Sequence, residues 1–168
     1  NYQSLYNFIK TNIKNYTYEE LSKISELANS ERLHNAAYYT SQDICYSIIK
    51  DLPEFQSGDS IKILEPSVGV GNFIPLLVTK YKHLKSIVMD VVDINGDSLD
   101  LLKALLGKIT IPSNFEINFI NKDFLTNDFF EVNSEISAKD KYDIVIGNPP
   151  FKKIKNDKEL LSKYKENV

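Results

Sequence analysis

The stretch Ile61-Lys62-Ile63-Leu64-Glu65-Pro66-Ser67-Val68-Gly69-Val70-Gly71 decides the fold of this chain. Its apolar start, Ile61–Leu64, predicts a short buried strand that leads directly into a loop with two glycines. Glycine lets the backbone turn sharply and lets a ligand approach closely, because it has no Cβ. Helical spacing of apolar residues resumes over 73–81. The stretch therefore predicts a strand, a turn and a helix in succession.

The same alternation of strand and helix continues downstream. Apolar runs predict a second, a third and a fourth strand at Ile87–Val92, Phe115–Ile120 and Ile144–Ile146, and a helix over Asp97–Leu106. Strands that alternate with helices imply right-handed crossovers and a parallel sheet covered by helices on both faces. We therefore expect an α/β fold.

The residues ahead of this sheet are predicted to be helical. Two segments of residues 1–33 have helical apolar spacing, and Thr17 and Glu20 have the spacing of a capping box at the start of the second. Ser41 can cap a third helix. The apolar positions of this third helix are Ile44, Cys45, Ile48 and Ile49.

Length and composition fit one globular domain. The chain has 168 residues, of which 42% are hydrophobic and 26% charged, and these proportions argue against disorder. The formal net charge of −3 argues against an obligate basic nucleic-acid binder. No apolar run approaches the roughly 18 residues of a membrane helix, and Cys45, as a single cysteine, cannot form an internal disulfide. His34 and His83 lack metal-ligand spacing, so we expect a cytoplasmic protein without a membrane partner or a metal.

Three acidic side chains follow three successive predicted strands. They are Glu65, Asp93 and Asp123, and parallel sheets bind ligands outside the carboxyl ends of their strands. A dinucleotide fingerprint would need a third glycine where the chain has Ile74. The carboxylate of Glu65 would also repel a phosphate, but it suits an ammonium group.

Each acid suits one part of a nucleoside ligand. Asp93 can accept hydrogen bonds from both hydroxyls of a ribose. Asp123 can accept from an adenine amino group, and Phe124 can cover the face of the ring. Taken singly, such acids are ordinary loop residues; three at successive strand ends favour a cationic ligand with ribose and adenine. S-adenosylmethionine has these features.

The tetrapeptide Asn148-Pro149-Pro150-Phe151 follows the fourth predicted strand. Two prolines fix the backbone and remove two donors, so the loop carbonyls remain available as acceptors. The Asn148 side chain and the Pro149 carbonyl can accept both protons of an NH₂ group, which favours a pyramidal, nucleophilic nitrogen. Phe151 offers a flat face for a planar substrate. The alternative is a proline turn with Phe151 in the core; the strand and the acids before it favour methyl transfer to an amine.

In this order, the motifs resemble the S-adenosylmethionine-dependent N6-adenine DNA methyltransferases of bacterial restriction–modification systems, in the class whose cofactor motifs precede the catalytic motif. The resemblance covers about residues 36–151. Tyr38–Ser41 is similar to the family motif ahead of the first strand, although the family usually has proline where this chain has Ser41. Leu64–Phe73 is similar to the methionine-binding motif, and Asn148–Phe151 matches the catalytic tetrapeptide. The resemblance implies the catalytic residues Asn148, Pro149, Pro150 and Phe151, and the cofactor-binding residues Tyr39, Thr40, Glu65, Pro66, Ser67, Gly69, Gly71, Asp93, Ile94, Asp123 and Phe124.

The resemblance also implies a reaction and a domain plan. The reaction is transfer of a methyl group from S-adenosylmethionine to the N6 amine of an adenine that is flipped out of double-stranded DNA. The fold is a Rossmann-like sheet of seven strands with a separate target-recognition domain, and about four of those strands are found here. We therefore expect an N-terminal helical segment, residues 1–35, and a partial catalytic domain, residues 36–168. Such an amino-terminal fragment is expected to be inactive by itself and to need a complementary C-terminal portion or a second subunit.

Two alternatives remain open from the sequence. Glutamine methyltransferases that act on release factors and some ribosomal-RNA methyltransferases carry similar tetrapeptides, although Glu65-Pro66-Ser67 and the tyrosine–threonine segment favour the DNA group. The chain can also be a non-catalytic module that binds S-adenosylmethionine or a partner chain.

Overall fold

The computed structural model of the chain describes residues 2–28, 39–125, 141–150, 161, 162 and 164. The predicted strands and helices are confirmed, with small shifts at their ends. In chain order they are α1 (Tyr2–Asn12), α2 (Tyr18–Ala28), α3 (Gln42–Lys50), β1 (Ser60–Glu65), α4 (Ile74–Tyr81), β2 (Ser86–Asp93), α5 (Gly96–Leu106), β3 (Phe115–Asn121) and β4 (Ile144–Val145).

The four strands form one parallel sheet in the order β3-β2-β1-β4. β2 pairs with β3 as far as Asp93, which lies opposite Asn121, and β4 pairs with the other edge of β1, where Ile63 lies opposite Ile144. The chain thus moves outward from β1 to β3 and then returns to the far side of β1. In open α/β sheets such a reversal opens a crevice at the carboxyl ends of the strands, where ligands bind.

One face of the sheet carries the hydrophobic core. The apolar sides of α4 and α5 pack against it, together with Ile9 of α1 and Leu21 of α2. Helix α4 connects β1 to β2, and α5 connects β2 to β3. Right-handed crossovers that run in the same direction place both helices on the same face of the sheet. The expected α/β, Rossmann-like fold with a partial parallel sheet is confirmed. The strand residues buried in this core are Ile61, Ile63, Ile87, Met89, Val91, Phe115 and Ile144.

The opposite face of the sheet is more polar. Asp90 of β2 accepts hydrogen bonds from Asn118 Nδ2 of β3 at 2.8 Å and from the Tyr142 hydroxyl at 2.6 Å. The ammonium group of Lys62 lies 5.4 Å from the centre of the Tyr142 ring. Residues 126–140, which connect β3 to β4 in the sequence, lie outside the described residues.

Side-chain caps begin two helices where the sequence predicts them. The backbone N–H of Glu20 donates to Thr17 Oγ1 at 3.1 Å, and the Thr17 N–H donates to Glu20 Oε2 at 2.8 Å. Ser41 Oγ accepts from the Ile44 N–H at 3.5 Å at the start of α3. The capping box of α2 and the serine cap of α3 are therefore confirmed.

Helix α3 buries a narrower apolar stripe than its composition suggests. Cys45 and Ile49 are buried, whereas Ile44 and Ile48 are 53% and 41% exposed. Residues 45 and 49 are one helical turn apart and share a face, and residues 44 and 48 share the neighbouring face. Among the described residues, no helix is long and apolar enough to cross a membrane.

Candidate functional site

Polar side chains gather at the carboxyl ends of the strands, as the sequence predicts. Glu65 and Asp93 are the last residues of β1 and β2, Asp123 follows β3, and Asn148 follows β4. Because the strands are parallel, these four residues lie along the same edge of the sheet.

The loop after β1 needs both of its glycines. Gly69 and Gly71 have φ angles of 53° and 71°, in the left-handed region that other residues rarely adopt. A Cβ added to Gly71 would lie 2.5 Å from Leu102 Cδ1 and 2.8 Å from Ile74 Cδ1. The loop therefore lies tightly against α5 and the start of α4, in a conformation that glycine alone adopts without strain.

Tyr18 of α2 also contacts this loop. Its hydroxyl lies 2.8 Å from the Val70 carbonyl oxygen and 3.0 Å from that of Gly71, and it donates to both. Burial raises the pKa of Tyr18, and the nearby Glu65 carboxyl raises it further. The hydroxyl therefore stays protonated and remains a donor to the loop.

Asp93 joins the end of β2 to the same loop. Its Oδ2 accepts from the Gly69 N–H at 2.9 Å, and its Oδ1 accepts from the Asn95 N–H at 2.8 Å. Burial raises the pKa of Asp93, and the two N–H donors oppose that rise. Each carboxylate oxygen has a second lone pair, so Asp93 can hold the loop and still accept hydrogen bonds from a ligand.

Glu65 is a buried carboxyl with an unpartnered oxygen. It is 2% exposed, and its Oε2 has no hydrogen-bond partner among the described residues. Burial raises the pKa of Glu65 well above its ordinary value, and the charge of Asp93 raises it further. In the described part of the chain, neither carboxyl takes part in an ion pair with lysine or arginine. A cationic ligand beside Glu65 would offset this cost of burial.

Two more polar atoms of the loop lack partners in the described structure. Ser67 Oγ and Asn72 Oδ1 are buried, and neither makes a hydrogen bond to a described residue. Buried polar atoms are normally satisfied, so such a group indicates a ligand, a water or a further segment of chain. With Glu65, these atoms give the loop one hydroxyl and two acceptor groups suited to a polar, cationic ligand.

The loop after β4 lies beside the loop after β1. The Ile146 N–H donates to the Leu64 carbonyl oxygen at 3.0 Å, and a Cβ at Gly147 would lie 3.3 Å from Pro66 Cδ. The next residue, Asn148, is half-buried, while Pro149 and Pro150 are exposed. Phe151 lies outside the described residues.

A segment ahead of α3 connects the two loops. Thr40 is buried, and its Oγ1 accepts a hydrogen bond from Asn148 Nδ2 at 3.0 Å. Two residues further on, Gln42 Nε2 donates to the Asn72 carbonyl oxygen at 3.4 Å. Tyr39 is half-buried beside Ser22 of α2, and burial raises its pKa. The structure thus brings Thr40 to the predicted catalytic loop and places Tyr39 towards α2.

The remaining predicted cofactor residues lie near the end of β3. Asp123 Oδ1 accepts from the Leu125 N–H at 3.0 Å, and its Oδ2 accepts from the Tyr164 hydroxyl at 2.9 Å. Phe124 is half-buried. The Ile94 side chain is 69% exposed. Asp123 therefore already takes part in two hydrogen bonds, one of them to a residue far along the chain.

Four polar residues of this site were missed by sequence reasoning. Asn72 was detectable, because it follows Gly71 directly in the loop. Tyr18, Gln42 and Tyr164 carry no local signal, since their partners are distant in sequence. In the described residues there is no group of three or more His, Cys, Asp or Glu side chains that could hold a metal ion.

Solved methyltransferase structures share this fold at low sequence identity. A protein from Listeria monocytogenes, described as a class I S-adenosylmethionine-dependent methyltransferase, matches with a TM-score of 0.51 and 16% identity. The match covers 82% of this chain and 41% of the Listeria chain. The methyltransferase subunit of a type I restriction-modification system from Streptococcus thermophilus matches with a TM-score of 0.53 and 16% identity, over 82% and 29%. A protein from Vibrio vulnificus, described as a modification subunit of a type I restriction enzyme, matches with a TM-score of 0.51 and 16% identity, and the match covers 79% of this chain and 26% of the Vibrio chain. This chain therefore spans between 26% and 41% of the length of each of these structures.

The sequence also matches a family profile. No curated protein sequence shows significant similarity to the chain. The profile described as "Eco57I restriction-modification methylase" matches residues 76–168, which is more than half of the chain and includes Asp93, Asp123 and the tetrapeptide at 148–151. The protein therefore belongs to the Eco57I restriction-modification methylase family.

Proposed function

We propose that this chain supplies the S-adenosylmethionine site and the catalytic loop of a restriction–modification methyltransferase that methylates adenine N6 in double-stranded DNA. One observation carries the proposal: the buried carboxyl of Glu65, whose Oε2 has no hydrogen-bond partner among the described residues, and the Asn148 loop lie side by side at the carboxyl ends of the paired strands β1 and β4. In this proposal residues 36–168 are the partial catalytic domain, and residues 1–35, which include α1 and α2, are a separate N-terminal segment. The reaction would take place in the cytoplasm, where the DNA is.

The residues of the crevice fit S-adenosylmethionine. Burial raises the pKa of Glu65, so a cation beside this carboxyl would stabilise its ionised form, and the cofactor carries an ammonium and a sulfonium group. Asp93 is held by two backbone N–H groups and keeps acceptor capacity for the ribose hydroxyls. Asp123 and Phe124 would face the adenine. The remaining residues proposed to line the site are Tyr39, Thr40, Pro66, Ser67, Gly69, Gly71 and Ile94.

The catalytic loop would act on the substrate amine by positioning it. When bound, S-adenosylmethionine would supply a methyl group whose carbon–sulfur bond breaks as the new carbon–nitrogen bond forms, so that the neutral thioether leaves and the amine nitrogen then loses one proton to solvent. Asn148 Oδ1 and the Pro149 carbonyl accept the two N–H bonds of the amine, which favours a pyramidal nitrogen. The same two acceptors stabilise the positive charge that develops on that nitrogen. Pro150 keeps the loop rigid, and Phe151 would stack on the flipped base.

The test is methyl transfer by the protein expressed from its full natural reading frame, alone and with any complementary C-terminal chain or second subunit. Tritiated S-adenosylmethionine is offered with double-stranded DNA, ribosomal RNA and release factor in parallel, and labelled nucleosides are identified by mass spectrometry. We expect N6-methyladenine in DNA. Label in RNA or in a release-factor glutamine would overturn the DNA assignment in favour of the related substrates.

A catalytic variant separates an enzyme from a binding module. Asn148→Ala should abolish methyl transfer and leave the affinity for S-adenosylmethionine within about twofold, because Asn148 is assigned to the substrate amine. Cofactor binding without transfer by the unmodified protein would support the non-catalytic module instead.

A further inference from the structure

The Asn148 side chain has two chemically different ends, and one of them is held. Its Nδ2 donates to Thr40 Oγ1 at 3.0 Å, across 108 residues of sequence. An amide that gives its NH₂ end to one partner directs its carbonyl oxygen to the other side. The observed contact therefore leaves Oδ1 as the end that Thr40 does not hold.

Thr40 is itself fixed by its surroundings. It is 8% exposed, and its carbonyl oxygen accepts from the Cys45 thiol of α3 at 3.9 Å. The next residue, Ser41, caps α3, and Gln42 donates to the Asn72 carbonyl oxygen at 3.4 Å. The start of α3 and the loop after β1 thus hold the two residues that follow Thr40, and these contacts restrict the position of its hydroxyl before substrate arrives.

We propose that Thr40 is a positioning residue that holds the Nδ2 end of the Asn148 amide, so that Oδ1 is the end directed at the substrate amine. The inference rests on the proposed function, because it concerns how Asn148 performs its role. In the reverse orientation Thr40 would donate to Oδ1, and Nδ2 would face an amine that carries only N–H groups. Two donors would then oppose each other, and the amine would lose one of its two acceptors.

The kinetic test uses variants that separate orientation from cofactor contact. Thr40→Val keeps the shape of the side chain and removes the hydroxyl, so single-turnover methylation at saturating S-adenosylmethionine should slow by about tenfold, the effect of one lost hydrogen bond in the transition state. Thr40→Ser keeps the hydroxyl and should restore the rate to within about twofold of the unmodified protein.

A carboxylate at position 148 removes the need for orientation. In Asn148→Asp both ends of the side chain are acceptors, so adding Thr40→Val to that variant should slow methylation by about twofold or less. The inference would be overturned if Thr40→Val slowed methylation equally, by about tenfold, with Asn148 and with Asp at position 148, or if Thr40→Val alone caused no loss of rate. The proposed function would still stand in that case, provided that the unmodified protein methylates adenine. An unmodified protein that methylates no adenine would instead contradict the proposed function.

A second measurement does not depend on activity. In the ¹⁵N-labelled 168-residue chain without ligand, the side-chain NH₂ signals of Asn148 are assigned by their disappearance in Asn148→Asp. We expect slow hydrogen exchange of one Nδ2 proton in the unmodified chain and in Thr40→Ser, and faster exchange in Thr40→Val. Equal exchange in all three chains would show that Nδ2 does not donate to Thr40, and the inference would be wrong.

Discussion

The carboxylate of Asp93 accepts a hydrogen bond from the backbone N–H of Gly69 at 2.9 Å, and this contact joins the end of β2 to the glycine loop after β1. The Val68 N–H donates to the Val92 carbonyl oxygen at 2.9 Å immediately beside it. The residue predicted to bind the cofactor ribose therefore also sets the shape of the loop. Ligand affinity and loop conformation are expected to change together when Asp93 is altered.

The first prediction concerns the affinity for S-adenosylmethionine. Asp93→Ala removes the acceptor for the Gly69 N–H and the acceptors proposed for the ribose, so the dissociation constant should rise by about tenfold or more. Isothermal calorimetry of the purified chain measures this change. Asp97→Ala is the matched control, because Asp97 is an exposed acid on the first turn of α5. Equal affinity in Asp93→Ala and the unmodified chain would contradict the pocket assignment.

The second prediction concerns pH and the buried carboxyl of Glu65. Its pKa in the folded chain is raised above the ordinary value of 4.5, so the folded state holds this proton more tightly than the unfolded state. The contribution of Glu65 to the free energy of unfolding is therefore fully present below its unfolded pKa. It is lost as pH rises towards the raised pKa of the folded state. Urea unfolding of the ligand-free chain at about pH 5 and about pH 8 measures the loss.

Glu65→Gln supplies the comparison for this effect. A neutral amide cannot ionise, so the variant should lose less stability between about pH 5 and about pH 8 than the unmodified chain does. Glu116→Gln, at an exposed position of β3, should follow the unmodified chain. If Glu65→Gln and the unmodified chain lose the same free energy over that range, Glu65 ionises without cost and the raised pKa is wrong.

The sequence predicts the sheet well because the relevant signals are local. Apolar runs of strand length and the capping pair Thr17 and Glu20 depend on neighbouring residues, and the structure confirms them. The acids at the strand ends were also predictable, since topology alone brings the carboxyl ends of parallel strands to one edge.

The contacts that complete the site were not predictable in the same way. Tyr18 reaches the glycine loop across 52 residues, and Asn148 reaches Thr40 across 108. Such pairs depend on how helices pack against the sheet, and periodicity of apolar residues does not encode which polar side chain enters a gap. The exposure of Ile44 and Ile48 has the same origin, because packing geometry decides which stripe of α3 is covered.

The third prediction tests the tie between α2 and the glycine loop. Tyr18→Phe removes the hydroxyl that donates to the carbonyl oxygens of Val70 and Gly71, and these buried acceptors lose their side-chain donor. The free energy of unfolding should fall by about 1–2 kcal/mol. Urea unfolding measures it, with Tyr46→Phe as the control because Tyr46 is 63% exposed. Equal loss in both variants would show that the hydroxyl of Tyr18 does not stabilise the loop.

The fourth prediction compares two glycine substitutions. Gly71→Ala places a methyl group 2.5 Å from Leu102 Cδ1 at a φ of 71°, and the left-handed backbone alone costs about 1–2 kcal/mol for a residue with a Cβ. The clash adds to this cost, so the free energy of unfolding should fall by about 2 kcal/mol or more. At Gly58 an added Cβ meets no atom within 4 Å, so Gly58→Ala should change stability by about 0.5 kcal/mol or less. Urea unfolding of both variants makes the comparison, and similar midpoints for the two would mean that the loop after β1 does not hold Gly71 in the left-handed conformation against α5.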